Sequence, residues 1–285
     1  MKFSRLIGIT ILLVLVQVAY AAANILPETV HQLIPNGTSA PLDNEASTSQ
    51  VGSELSSLPA SITRYNASRD VPDAKPSNDL NSYGSELCQL PGFKCISIKS
   101  GQTWANLFRN EHKREIVMRL NRTNVALRYR KWIIIPEDWR SVSYMALSPL
   151  PEHLASTGKK RLLIDLRVFA FGAYDEDGDL VYWGPASGGK AYCSDTHEDC
   201  RSAAGDFKIY RIQGENCMSS KYPVDRGGGA PMPYCMHYYK GYAIHGSTLA
   251  GFVNRSRGCV RLFYSDAKWL NQDFVKLGTE VIVKR

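Results

Sequence analysis

From Arg161 onward the chain alternates apolar and polar positions at the two-residue period of strands. "RLLIDLRVFAFGAY" (161–174) predicts a strand, "DEDGD" a turn, and "LVYWG" a returning strand, the pattern of a hairpin. "DFKIYRI", "MHYYKGYAIHG" and the terminal "TEVIVKR" predict further strands. Only "SDAKWLNQDFVKL" (265–277) carries a clear helical period, with Ser265 suited to its N-cap and Gly278 to its stop. "DEDGD" lacks the spaced glutamate of an EF-hand and reads as a turn. Many short strands with one helix predict a mostly β domain over 161–285, a sandwich or a partly open barrel.

The pattern changes upstream. In Cys95–Trp139, "CISIK" alternates as a short strand, and Thr103 is placed to cap a helix through Trp104, Leu107 and Phe108. Ile116, Val117 and Leu120 are spaced for a second helix, and "KWIIIP" closes as a strand stopped at Pro136. A small βααβ module is therefore expected over 88–140, with residues 141–160 as a Pro-containing connector. Residues 24–87, rich in Ser, Asn, Pro and Ala and without a sustained apolar period, read as a disordered linker. At the N-terminus Lys2 and Arg5 precede the apolar run Leu6–Val16, and "AYAAA" offers small residues for cleavage after Ala21. Residues 1–23 thus read as a secretory signal peptide, too short for a membrane span.

Export permits disulfides, and the seven cysteines fall into local couples. Nearest-neighbour pairing gives Cys88–Cys95, Cys193–Cys200 and Cys217–Cys235, one of several possible connectivities. None of the couples has the short C-x-x-C spacing of a structural zinc site, and no metal is called for. Cys259 is the leftover. The net charge of +7 is uneven: residues 88–140 hold eleven Lys/Arg against four Asp/Glu, a balance of +7. Residues 24–87 hold three against eight, a balance of −5. A basic patch on an exported protein suits anionic lipid or an anionic wall polymer, and export makes nucleic acid the weakest partner.

The candidate chemistry lies in "AIHGSTLAGFVNRSRGCVRL" (243–262). A thiol attacks slowly unless a base or a positive potential favours its thiolate. His245 is placed to be that base, with the backbone carbonyl of Gly246 as the acceptor that fixes its tautomer. Gly258 lets the turn approach a substrate, and the amides of 257–259, beside Ser256, are candidates for an oxyanion site. Arg257 and Arg261 are expected to lower the thiol pKa and to attract a carboxylate. A structural role for Arg261, pinning the loop to the domain, weighs equally.

"IHG…SRGCVRL" resembles the signature of the YkuD-type L,D-transpeptidase catalytic domain, which usually reads HG…S-H-G-C-[IV]-R-[LM]; "MPYCM" and "SAAGDFKIYR" support the likeness. Arg257 stands where the family has a histidine, and "RSAAG" lacks the usual proline. The resemblance implies a YkuD-like β-sandwich and an exported peptidoglycan L,D-transpeptidase acting without a cofactor. Cys259 would form a thioester with a tetrapeptide stem and release D-alanine. The acyl group would pass to an amine of another stem or of an envelope protein. The rival readings are an L,D-carboxypeptidase, in which water is the acceptor, and a non-catalytic peptidoglycan-binding protein. "SGQTWANLF…LNRTN…IIIP" likewise resembles a divergent LysM module, implying binding to the glycan chains of the wall; the alternative is a small docking module with no ligand of its own. A bacterial periplasm or envelope is the implied location.

Overall fold

The computed structural model describes residues 82–140 and 142–285. The expected signal peptide, and the expected linker up to residue 81, lie outside the described residues. The end of that linker needs correction: Ser82–Leu87 form a helix (α1), and Tyr83 and Leu87 are buried. The sequence hides this helix because its apolar residues meet partners distant in the chain, with Tyr83 edge-on to Phe252 at 5.7 Å.

The next elements run strand, helix, helix, strand. Strands β1 (Phe93–Ser97) and β2 (Trp132–Pro136) pair antiparallel, Cys95 opposite Ile134. Thr103 caps α2 (Trp104–Leu107) in a reciprocal capping box with Asn106. Asn110 caps α3 (Glu111–Leu120). At the end of α3, Asn121 donates to the carbonyls of Val117 and Ile134 and accepts from the Ile134 amide, tying helix to strand. Val117, Leu127 and Ile133 form a small core on one side; Leu120 and Ile134 face Tyr83, Leu87 and Phe252 on the other.

The C-terminal part is one continuous nine-stranded sheet rather than a sandwich of two. Its strands are β3 (Arg161–Asp165), β4 (Ala170–Tyr174), β5 (Leu180–Ser187), β6 (Gly205–Lys208), β7 (Arg211–Ile212), β8 (Met236–Tyr239), β9 (Tyr242–Gly246), β10 (Val260–Leu262) and β11 (Glu280–Lys284), in the order β6-β11-β3-β4-β5-β10-β9-β8-β7. The two edges are consecutive in sequence. Ile209 donates to Thr279 on the β11 side, and the next residue, Tyr210, donates to His237 on β8. One stretch of chain thus curls the sheet upon itself and closes its core around Phe171, Met236, Ile244, Val260 and Leu270.

Two predicted elements differ. The single strand expected over 161–174 is a hairpin, β3 and β4, which turns at 166–169 through Phe169 at a left-handed φ of 54°. Both strands are buried along their whole length, so apolar residues on both faces conceal the turn. The expected helix at 265–277 is α4 (Tyr264–Trp269), continued by a π-helical turn over Leu270–Phe274. Its N-cap is Phe263 without a side-chain bond, not Ser265. In the "DEDGD" turn the Asp175 carboxylate accepts from the amides of 177, 178 and 179 at 2.9–3.1 Å.

Both parts belong to one compact unit. Arg119 of α3 meets Asp266 of α4 in a two-pronged pair at 2.6 and 2.9 Å, both side chains buried. Burial pushes the Asp266 carboxyl toward its neutral form, whereas two short contacts from Arg119 and a 2.8 Å bond from Tyr182 hold it ionised. The fork geometry identifies an ionised pair. Burial alone would depress Arg119; Asp266 outweighs it and raises the guanidinium.

Candidate active site

Strands β9 and β10 are parallel neighbours, with Val260 opposite Ile244 and Arg261 opposite His245. Side chains two residues apart share a face of a strand, so Cys259 and Arg261 lie on the face that carries Ala243 and His245. Next along, His237 on β8 is opposite Ala243, and Arg211 on β7 is opposite His237. This face floors a cavity of about 680 Å³ lined by Cys259, His245, Arg261, His237 and Arg211. Loops 190–201 and 213–235, each closed by a disulfide, form its walls.

The three disulfides are Cys88–Cys95, Cys193–Cys200 and Cys217–Cys235, as nearest-neighbour pairing expects, and Cys259 is the one free cysteine. His245 is buried, with Nδ1 2.9 Å from the Gly246 carbonyl oxygen. A carbonyl only accepts, so Nδ1 carries the hydrogen and Nε2 is the basic nitrogen. Burial depresses the imidazole to about 4, with Arg261 and His237 pushing the same way against the Gly246 bond. Burial also pushes the Cys259 thiol above its ordinary 9.0, despite a backbone hydrogen bond with Ala243 and the Arg261 charge. Both groups rest neutral near pH 7. The lowered thiol pKa expected from two flanking arginines is thereby corrected: desolvation outweighs the nearby positive charge.

The arginines also separate in role. Arg257 bonds Asp195 and lies over the Tyr222 ring at 5.3 Å. It points to the cavity rim, and the positive charge acting on the thiol is that of Arg261. Arg261 Nε is buried with no hydrogen-bond partner among the described residues, and burial lowers this guanidinium. A half-buried guanidinium with a buried, unpartnered Nε at a cavity wall is suited to an anionic group.

Ser256 serves the loop rather than a ligand. It is buried, accepts from the Gly258 amide at 3.1 Å and donates to the Cys259 carbonyl. The Gly258 amide is therefore committed and drops out as an oxyanion donor. Gly258 itself is required, because φ is 116° and an added Cβ would lie 2.5 Å from Tyr242 Cε1. Sequence reasoning missed Asp195, Tyr222 and Arg211. They come from loops or a two-residue strand, and no local pattern marks them.

No curated protein matches the chain. Among solved structures, an L,D-transpeptidase from Xylanimonas cellulosilytica is 26% identical, with a TM-score of 0.41, over 49% of this chain and 66% of that one. An L,D-transpeptidase from Stackebrandtia nassauensis is 19% identical, TM-score 0.37, over 47% and 59%. L,D-transpeptidase 3 from Mycobacterium tuberculosis is 18% identical, TM-score 0.36, over 44% and 61%. The chain thus spans about three fifths to two thirds of the length of these relatives. The segment that holds His245 and Cys259, residues 159–283, matches the family model of the YkuD L,D-transpeptidase catalytic domain.

Proposed function

We propose that this protein is an exported peptidoglycan L,D-transpeptidase with Cys259 as nucleophile and His245 as base. The observation that carries the reading is a free thiol sharing one sheet face and cavity with a buried imidazole whose Nδ1 is tied to Gly246. Cys259 Sγ attacks the carbonyl carbon of the bond between the third residue of the stem and its terminal D-alanine. The thiol proton passes to His245 Nε2 as the carbon–sulfur bond forms, so no costly ion pair is needed beforehand. When the tetrahedral species collapses, the carbon–nitrogen bond breaks and His245 returns the proton to the departing D-alanine amine. A thioester remains. An acceptor amine then attacks it, His245 takes the amine proton and restores the thiol, and a new amide is left. Arg261 supplies the positive charge for a substrate carboxylate, and the walls exclude water that would divert the thioester to hydrolysis.

The 88–140 module would hold wall polymer through its exposed basic side chains, so its binding weakens with salt. Its "LNRTN" segment is unavailable for this, since Leu120–Thr123 are buried. Incubation with disaccharide-tetrapeptide, followed by intact-mass analysis, tests the main reading. A Cys259-dependent adduct lacking D-alanine, discharged by an acceptor amine, supports it. No adduct on the native protein rejects it.

A further inference from the structure

His245 and Cys259 sit at the two ends of one connection. Parallel strands need a crossover, and here the crossover from β9 to β10 is an irregular loop from Ser247 to Gly258. Strand β10 is three residues long, and Cys259 precedes its first pair, so sheet pairing by itself holds the nucleophile weakly. The loop must be fixed by something else.

Two anchors do so. The C-terminal part holds one end: Ser187 Oγ donates to Val253, the Gly188 amide to Asn254 Oδ1 and the Ser256 amide to Gly188. The N-terminal module holds the middle. Thr123 Oγ1 donates to the Leu249 carbonyl at 3.0 Å, and the Leu249 amide donates to Asn124 Oδ1 at 2.9 Å. Arg130 Nη1 donates to the Ala250 carbonyl at 2.7 Å, and the Gly251 amide to the Arg122 carbonyl at 3.0 Å. The approach is close enough that a Cβ on Gly251 would lie 2.3 Å from Arg130 Nη1. Phe252 then packs edge-on against both Tyr83 and Phe169.

We propose that the segment Arg122–Arg130 is a positioning element for the catalytic pair, holding the Ser247–Gly258 crossover so that Cys259 meets His245. The "LNRTN" stretch then has an intramolecular ligand, the loop between base and nucleophile. The N-terminal module acts on the chemistry through hydrogen bonds, mostly from its side chains, to the backbone of the loop, without touching substrate. This rests on Cys259 being the nucleophile.

The test compares the full chain with two double variants. Thr123→Val/Asn124→Ala removes the hydroxyl and the amide oxygen that hold Leu249. Thr123→Ser/Asn124→Asp keeps a donor and an acceptor in place. Two rates are read by mass: acylation by disaccharide-tetrapeptide, which needs the base in register, and alkylation by iodoacetamide, which needs only an accessible thiol. The expected result is acylation slowed about tenfold in the first variant, since a misplacement on the order of 1 Å costs up to about a hundredfold. Alkylation and the melting temperature stay close to the parent values, and the second variant restores acylation. Equal acylation in the parent and the first variant overturns the proposal, as does a parallel fall in both rates, which would indicate a general structural defect. Should the Thr123 change prevent folding, Asn124→Ala against Asn124→Asp gives the same comparison at a less buried residue. A parent protein that alkylates at Cys259 but never acylates overturns the nucleophile reading, and this proposal with it.

Discussion

The resting protonation of the catalytic pair gives the sharpest test. Burial holds the imidazole down at about 4 and pushes the thiol up from its ordinary value, so both groups rest neutral near pH 7. Moving the thiol proton to His245 before attack is therefore uphill, so a thiolate–imidazolium pair is disfavoured at rest. The simple thiolate is likewise a minor form at pH 7, because burial raises the thiol. Alkylation by iodoacetamide, which follows the thiolate, should then rise about tenfold per pH unit from pH 6 to 8. A preformed ion pair would instead give a plateau across that range. The assay is the rate of Cys259 modification by intact mass at fixed reagent concentration, with Cys259→Ser as blank. His245→Ala should keep the steep alkylation profile while losing acylation by a stem peptide, because only acylation needs the base. A flat profile between pH 6 and 8 in the native protein would refute the desolvation argument.

Further outcomes follow from the same geometry. Arg257→Ala should change the slope of that profile little, because its charge is spent on Asp195 and Tyr222; a displaced profile, read in the same assay, would show that it reaches the thiol. Asp266→Ala leaves the buried Arg119 only the half-exposed Glu115 as carboxylate partner and should cost about 3 kcal/mol, the low end for breaking a buried pair. For a protein of this size that means a melting temperature lower by roughly 6–12 °C, and a shift under about 2 °C would contradict an ionised pair. His245 has an ordinary value of 6.5 and a folded value of about 4. Its contribution to stability is full above pH 6.5 and is lost as pH falls toward 4, about 3 kcal/mol in all. Urea midpoints at pH 7 and pH 4, for the parent and His245→Gln, measure that loss. In the oxidised native protein Cys259 should be the single alkylated cysteine, and peptide mapping that finds three or more modified cysteines would contradict the disulfides.

What the sequence determined by itself is local. Alternation marks the strands, Thr103 marks the start of a helix, and odd cysteine arithmetic singles out Cys259. "HG" and "GC" single out His245 and Cys259 as the proposed pair, because a nucleophile, its base and a permissive glycine must be particular residue types whatever surrounds them. Tertiary structure decided the rest. Whether Cys259 rests as thiol or thiolate depends on how dry the β9–β10 face is, and no spacing in the chain encodes dryness. Arg257 and Arg261 are four residues apart, yet one meets Asp195 across a loop and the other keeps a buried Nε with no partner among the described residues. Ser256 looked like a ligand-binding residue until its hydroxyl was found closing its own turn. The burial of Arg119 against α4, and of Arg122 and Thr123 under the crossover loop, was equally hidden. Asp266, Gly251 and Leu249, which help to cover them, lie more than 120 residues away, and a charged helix face reads as solvated until a second surface covers it.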